Sequence, residues 1–402
     1  MRPCTSPARL LLGLLATLLA ACADQRGPTA ATSPGHLAPD LTAGLPLNAR
    51  ADGQYIFRHW TFGDEPFWSD TLHLNTVVES AVSPATALAV GLKVDATRLP
   101  PGFLAGADLT SPATTVELLR RDAVVGVEAD VTADRHIARL GITCALCHST
   151  VDNSVAPGVG RRLDGWPNRD LNVGAIVALS PALPAAAGAV FSSWGPGKYD
   201  AEFNRDGINN PVVIPPAFGL HGVALETYTG EGPVSYWNDY VAVTQMHGHG
   251  SFSDPVLGIA IQQRPDLVTP VLPVLRAYQL GLKTPPPPAG SFDPAAADRG
   301  KTVFNTSGRC AGCHIPTLAF TDVNLGILHD PSETGMDPVR ASRLKNHQYR
   351  TTPLRALWQH PPYFHDGSAA TLTGVVEHYD QFFGLGLSPQ QKADLVEYLK
   401  SL

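Results

Sequence analysis

Cys310-Ala-Gly-Cys313-His314 and Cys144-Ala-Leu-Cys147-His148 are two copies of one pentapeptide, and their reading decides the fold. Two cysteines three apart on a helical turn face the same way and can form thioethers to the two vinyl groups of a haem. The histidine that follows lies under the ring and offers an imidazole nitrogen to the iron. One such pentapeptide is a weak signal, because zinc sites and redox pairs also contain it. Two copies, each with its own histidine, point to two covalently bound c-type haems. The first would be held by Cys144, Cys147 and His148, the second by Cys310, Cys313 and His314, with both histidines as iron ligands.

The chain has six cysteines, and the remaining two are Cys4 and Cys22. Residues 1–21 hold Arg2 and Arg9, no acids, and the apolar run Leu10 to Leu19, which is the layout of a secretion signal and short for a bilayer span. Leu19-Ala20-Ala21-Cys22 resembles a bacterial lipobox. By that resemblance Cys22 becomes a lipidated N-terminus and Cys4 is discarded, which places the protein in the cell envelope, lipid-anchored to a membrane and facing the periplasm. No cysteine is then left for a disulfide. In an oxidising compartment two open CxxC pairs would close on themselves unless haem held them.

Composition narrows the field further. Lys and Arg number 29 against 36 Asp and Glu, a formal charge of −7, which argues against nucleic acid and suits a basic redox partner protein or a small-molecule oxidant. Thirty-six prolines, 37 glycines and only 16% charged residues call for many turns and long ordered loops. No second apolar run reaches transmembrane length, so the lipid is the expected membrane contact.

The expected fold is mainly α, with two cytochrome c-type haem domains, the first enlarged by long loops. A signal peptide (1–21) and a flexible tether (22–48) precede an N-terminal haem domain (49–284). The stiff run Pro285–Pro288 then leads to a C-terminal cytochrome c domain (289–402). In that last domain Asp293-Pro294 caps a helix through Phe304. Ser388-Pro-Gln-Gln391 is a capping box opening a helix to Leu402, with Leu395, Val396, Leu399 and Leu402 on one face. In the first domain, Leu118 to Val127 and the stretch before Cys144 read as helical. The segments at Gly195, Asn209 and Ile214-Pro-Pro-Ala-Phe218 read as loops able to fold over the haem faces.

The sixth ligand decides between electron carrier and open site. Two runs bear on it: Thr352 to Leu372, containing Pro362-Tyr-Phe-His-Asp-Gly367, and Leu387 to Leu399. Together they resemble the C-terminal domain of bacterial di-haem cytochrome c peroxidases and of MauG. The family's distal residue is the ninth counting from Thr371, which here is Tyr379, a tyrosine as in MauG. The resemblance thus implies Tyr379 as the second ligand of the last iron; packing of Tyr379 with ligation by the adjacent His378 stays open.

Resemblance in the first domain is thinner. The family's displaceable histidine falls on Asp164, and its inter-haem calcium position on Asn172, with Pro362 as the second calcium residue. Trp194 falls to the tryptophan between the haems. The family's catalytic glutamine and glutamate fall on Asn204 and Ile214, so Glu202, Glu226 or Glu231 would have to substitute; Trp194 and Glu202 are the catalytic candidates. The cluster Gln245-Met-His-Gly-His-Gly250 offers Met246, His247 or His249 to the first iron, or is a glycine-rich turn. The function implied is electron transfer coupled to peroxide or oxygen activation at the first haem. The alternative is a non-catalytic di-haem electron-transfer cytochrome.

Overall fold

The computed structural model describes residues 49–402, so the expected leader, the expected lipidation at Cys22 and the expected 22–48 tether lie outside the described residues. Helix outweighs strand, 41% against 11%, in keeping with a mainly α chain. Among the described residues strands occur only as two-stranded pairs. No helix among them is long and apolar enough to cross a membrane.

The first half is closed by its own ends. Helix Ala49–His59 packs on helix Leu272–Leu280, and Gly53 permits the contact, because a Cβ there would lie 2.6 Å from both Tyr278 Cβ and the Val274 carbonyl oxygen. Phe57, Tyr240, Phe252 and Leu275 form the core beneath this pair. A neighbouring cluster gathers Leu118, Leu119, Ala123, Leu146 and Leu171.

Two expectations fail in this half. Helix Pro112–Leu119 stops at Leu119, and the chain turns through Asp122 at a φ of 51°. The stretch before Cys144 is not helical but a hairpin, Val127–Val131 against Ile137–Ile142 with a bulge at Asp130/Val131. The β-branched run at Val124-Val-Gly-Val127 disfavours helix. Gly126 takes a φ of 78°, and a Cβ there would lie 2.1 Å from the Leu146 nitrogen. The hairpin therefore rests directly on the first CxxCH turn.

The second half follows its sequence signals. The Asp293 carboxylate accepts from Ala295 and Ala296 nitrogens at 2.9 and 3.2 Å, opening helix Pro294–Asn305. Ser388 and Gln391 form the reciprocal capping box of helix Pro389–Ser401, at 3.2 and 2.9 Å. Each such cap stabilises by about 1 kcal/mol. The two helices cross at Gly300, where a Cβ would stand 2.0 Å from the Asp394 carbonyl oxygen. Phe304, Leu395, Tyr398 and Leu399 fill the crossing; Val396 and Leu402 are only partly buried, and Tyr398 takes the position expected of them.

The halves interlock beyond the proline run. Val213 donates its N–H to the His365 carbonyl at 2.7 Å, and Arg350 donates to the Leu225 and Glu226 carbonyls at 2.7 and 3.0 Å. Arg343 binds the buried carboxylate of Asp200 at 2.8 Å and that of Asp206 at 2.7 Å. The loops from Gly195 to Phe218 include the short pair Lys198–Tyr199 with Val212–Val213, and they close over the site described next.

Candidate functional site

Each pentapeptide opens into its own cavity. Cys144 leaves the hairpin and enters the short helix Ala145–His148. His148 donates its Nδ1–H to the Pro215 carbonyl at 3.0 Å, which turns Nε2 to the cavity. Burial pushes the Cys144 and Cys147 thiols up to about 12 and the His148 imidazole down to about 4, so all three are neutral. They line a cavity of about 350 Å3. The second turn is built alike: Cys310–Gly312 is a 3-10 turn, and His314 donates Nδ1–H to the Phe320 carbonyl at 3.1 Å. Burial raises both thiols, Cys310 to about 11, and lowers His314. Its cavity is about 900 Å3. The two CxxC pairs serve separate cavities and do not converge on one centre, which sets aside a shared zinc site.

Orphaned cations test whether a haem suits the second cavity. Arg169, Arg309, Arg350 and Arg355 line it. Nε and Nη1 of Arg169 and Nε of Arg350 are buried without a hydrogen-bond partner. Buried unpaired donors are costly, and haem carboxylates are the acceptors they fit. Tyr379 also lines this cavity, stacked on Phe383 at 5.9 Å, with no hydrogen-bond partner for its hydroxyl among the described residues; burial raises its pKa. His378 is not among the lining residues and bonds the carbonyl of Thr334, which is, at 2.9 Å. Met336 lines the cavity as well.

The first cavity is walled mainly by aliphatic and aromatic side chains, and no lysine or arginine is among its lining residues. Tyr199 donates to Gln245 Oε1 at 2.7 Å within it. Met246 and His247 line it, whereas His249 is turned out to the Pro265 carbonyl at 2.5 Å. His247 adopts a φ of 62° and stacks on Phe67 with ring centroids 3.6 Å apart; burial holds its imidazole down at about 4. Phe67 belongs to a π-helix, Pro66–Thr71, an element frequent at functional sites.

The remaining candidates scatter. Trp194 lines the first cavity alone, its Nε1 donating to Asn209 at 2.9 Å. Trp237 and Tyr228 line both cavities, edge to face at 5.2 Å with the Arg340 guanidinium over both rings, and no sequence signal marked them. Glu202 is outside the lining and pairs with buried Arg340. Asp200 is the carboxylate that lines the first cavity; burial raises its pKa while Arg343 holds both its oxygens. Asn204 lines it too and accepts from Gln245 at 3.3 Å; Ile214 adds an apolar wall. Glu226 binds Arg276 and Glu231 accepts from the Lys345 nitrogen at 3.0 Å. Asp164 is held by Arg58 at 2.6 Å and Tyr278 at 2.5 Å. Asn172 caps helix Val173–Val177 through its side-chain oxygen, away from Pro362 in the second cavity's lining. His360 and His365 line that cavity as well, His365 bonding the Tyr349 hydroxyl at 3.0 Å.

No family model matches the chain. It is 28% identical over 124 residues to the methylamine utilization protein MauG of Methylorubrum extorquens, covering 27% of this chain and 35% of that protein. It is 30% identical over 126 residues to MauG of Methylophilus methylotrophus, covering 27% and 36%. The chain thus spans about a third of the length of the curated relatives it matches. Among solved structures it overlays a hydrazine synthase of Kuenenia stuttgartiensis at a TM-score of 0.33 and 20% identity, covering 48% of this chain and 73% of that one. A MauG-like protein associated with microbial copper homeostasis overlays at 0.34 and 18%, covering 48% and 74%.

Proposed function

We propose, from its similarity to MauG over 27% of its length, that the chain is an oxidoreductase of the superfamily of MauG and the di-haem cytochrome c peroxidases, carrying two c-type haems, the first facing substrate. One attaches at Cys144 and Cys147 with His148 below it, the other at Cys310 and Cys313 with His314. When bound, such groups supply one-electron redox chemistry and, where an iron keeps a free position, activation of peroxide or oxygen.

The observation that carries this reading is the matched pair of tethered imidazoles. Each donates Nδ1–H to a main-chain carbonyl and so presents a neutral Nε2 to its own cavity. Around the second site Arg169 and Arg350 would receive carboxylates, and Tyr379 would complete the iron as a phenolate. Trp237 and Tyr228, rather than Trp194, would form the bridge between the sites, since they line both cavities. A leader ending at Cys22 would anchor the protein in the envelope, and the acidic surface would steer a basic redox partner toward it.

Electron paramagnetic resonance of the ferric holoprotein, followed by stopped-flow mixing with hydrogen peroxide, tests the reading. A high-spin signal and a peroxide-dependent Soret change are expected. Their joint absence would leave the second reading, an electron-transfer cytochrome with both irons closed. His247 in the first cavity and the lack of a free carboxylate among its lining residues favour that alternative.

A further inference from the structure

The chain has six tryptophans, and what each indole N–H meets sets one of them apart. Trp60 donates to the Leu267 carbonyl at 3.2 Å and Trp194 to the Asn209 amide oxygen at 2.9 Å. Trp358 has a buried indole nitrogen without a partner among the described residues. Trp68 donates to a carboxylate, Oδ2 of Asp64 at 3.1 Å, and shares its hydrogen with the Met246 carbonyl at 3.1 Å. Asp64 is fully buried and pairs with no cation among the described residues; the Ile142 N–H reaches both its oxygens, at 3.3 and 3.2 Å. The hairpin leaves room for this group at Gly141, where a Cβ would stand 2.5 Å from Asp64 Oδ1. Ser69 and Leu140 exchange hydrogen bonds at 2.8 and 3.2 Å, which clamps the π-helix onto the same strand.

The pair stands beside the first attachment point. Trp68 lines the first cavity, and Asp64 is near enough to Cys144 to help raise its thiol. Two other tryptophans line that cavity, in different surroundings. Trp237 has the Arg340 guanidinium 6.0 Å from its ring centre, and a positive charge there opposes removal of an electron. Its bridging role is untouched, since an electron can cross a ring without leaving a hole on it. Trp194 meets an amide, a far weaker base than a carboxylate. Beside Asp64 the anion favours loss of an electron, and the indole N–H has a base to receive its proton. Burial holds the Asp64 carboxyl well above its usual range, which makes its anion the stronger base.

We propose that Trp68 is a redox-active residue of the first site, giving up one electron to that site and its Nε1 proton to Asp64. The proposal rests on the first site reducing hydrogen peroxide. Reduction of peroxide to two waters takes two electrons and, from solvent, two protons. Trp68 supplies one electron and the second haem the other. The indole N–H bond breaks, an O–H bond forms on Asp64 Oδ2, and a neutral tryptophanyl radical stores one oxidising equivalent. An electron from the redox partner and the proton held by Asp64 then restore the indole.

Rapid-freeze electron paramagnetic resonance of the holoprotein mixed with hydrogen peroxide tests this, using protein grown on ring-deuterated tryptophan to identify the radical. The expected signal narrows on ring deuteration and lacks coupling to a solvent-exchangeable indole proton. Trp68→Phe should abolish it and Trp194→Phe should leave it in place, with circular dichroism unchanged in both. In Trp68→Tyr the signal should become that of a tyrosyl radical, which reads the position even where the Phe variant fails to fold. Asp64→Asn keeps an acceptor without the base and should lower the radical yield by at least about tenfold. A tryptophanyl radical that survives in Trp68→Phe, an undiminished yield in Asp64→Asn, or a peroxide reaction without any organic radical would overturn the proposal. A peroxide that leaves both haem spectra unchanged would defeat the peroxide reading of the first site instead. The pair is then tested with photogenerated tris(bipyridine)ruthenium(III), a one-electron oxidant that needs no open iron: a radical on Trp68 upholds it, and a radical elsewhere overturns it.

Discussion

The two pentapeptides differ at a single internal residue, Leu146 in the first and Gly312 in the second, yet the chambers behind them have little in common. The first is about 350 Å3, largely apolar, with no lysine or arginine in its lining; the second is about 900 Å3 and carries four arginines. The attachment motif decides which cofactor the chain can hold. The wall decides what that cofactor meets. Arginines with unpaired buried nitrogens suit the carboxylates of a bound group, whereas the first wall offers no such cations.

The contrast can be broken most severely at the cysteines. Replacing Cys144 and Cys147 with alanine should remove one covalent haem, and replacing Cys310 and Cys313 should remove the other, each read as loss of a single haem mass. Loss of both from either variant would show that the chambers fold only together. Next in size is Arg343→Leu. This arginine ties Asp200, in the first cavity's wall, to the second half of the chain, and its removal leaves the fully buried Asp200 carboxylate without its ion pair and Asp206 with Arg205 alone, at 3.7 Å. Denaturant unfolding should register a loss of about 3–5 kcal/mol. A loss near zero would mean the halves are held by their other contacts, the Arg350 and Val213 hydrogen bonds among them.

Gly300→Ala tests the second half by itself. The added carbon meets the Asp394 carbonyl, so the two helices must part, at a cost of about 1–3 kcal/mol. The effect should leave the spectrum of the first haem unaltered.

The smallest effect separates the chambers by pH. Burial holds His247 at about 4, below its ordinary 6.5. Between those values the unfolded chain binds a proton that the folded chain refuses, so stability falls as pH drops from 6.5 toward 4. His247→Phe should flatten that fall, with the two proteins diverging only below pH 6.5 in unfolding midpoints. The slope that remains belongs partly to His360 in the second cavity, also held at about 4 by burial.

Legibility followed the same divide. In the second half, local signals agree with the fold: Asp293-Pro294 and Ser388–Gln391 cap the helices they announce, and the apolar face of the last helix reaches the core. The first half rests on long-range contacts that leave little trace in sequence. The hairpin at Val127–Ile142 was masked because its bulge interrupts the alternation of side chains. Glu202 looked like a free acid until its buried partner Arg340, far along the chain, came into view. The shared aromatics Tyr228 and Trp237 carry no motif at all.

Pro215 gives its carbonyl to the first imidazole while lining both chambers. Its ring fixes its own backbone angle, and it has no N–H with which to take a second anchor. A pull on that carbonyl therefore passes into the neighbouring chamber's ceiling as movement of a stiff part. Neither compartment can be remodelled there in isolation: a change that suits one occupant is also felt by the other.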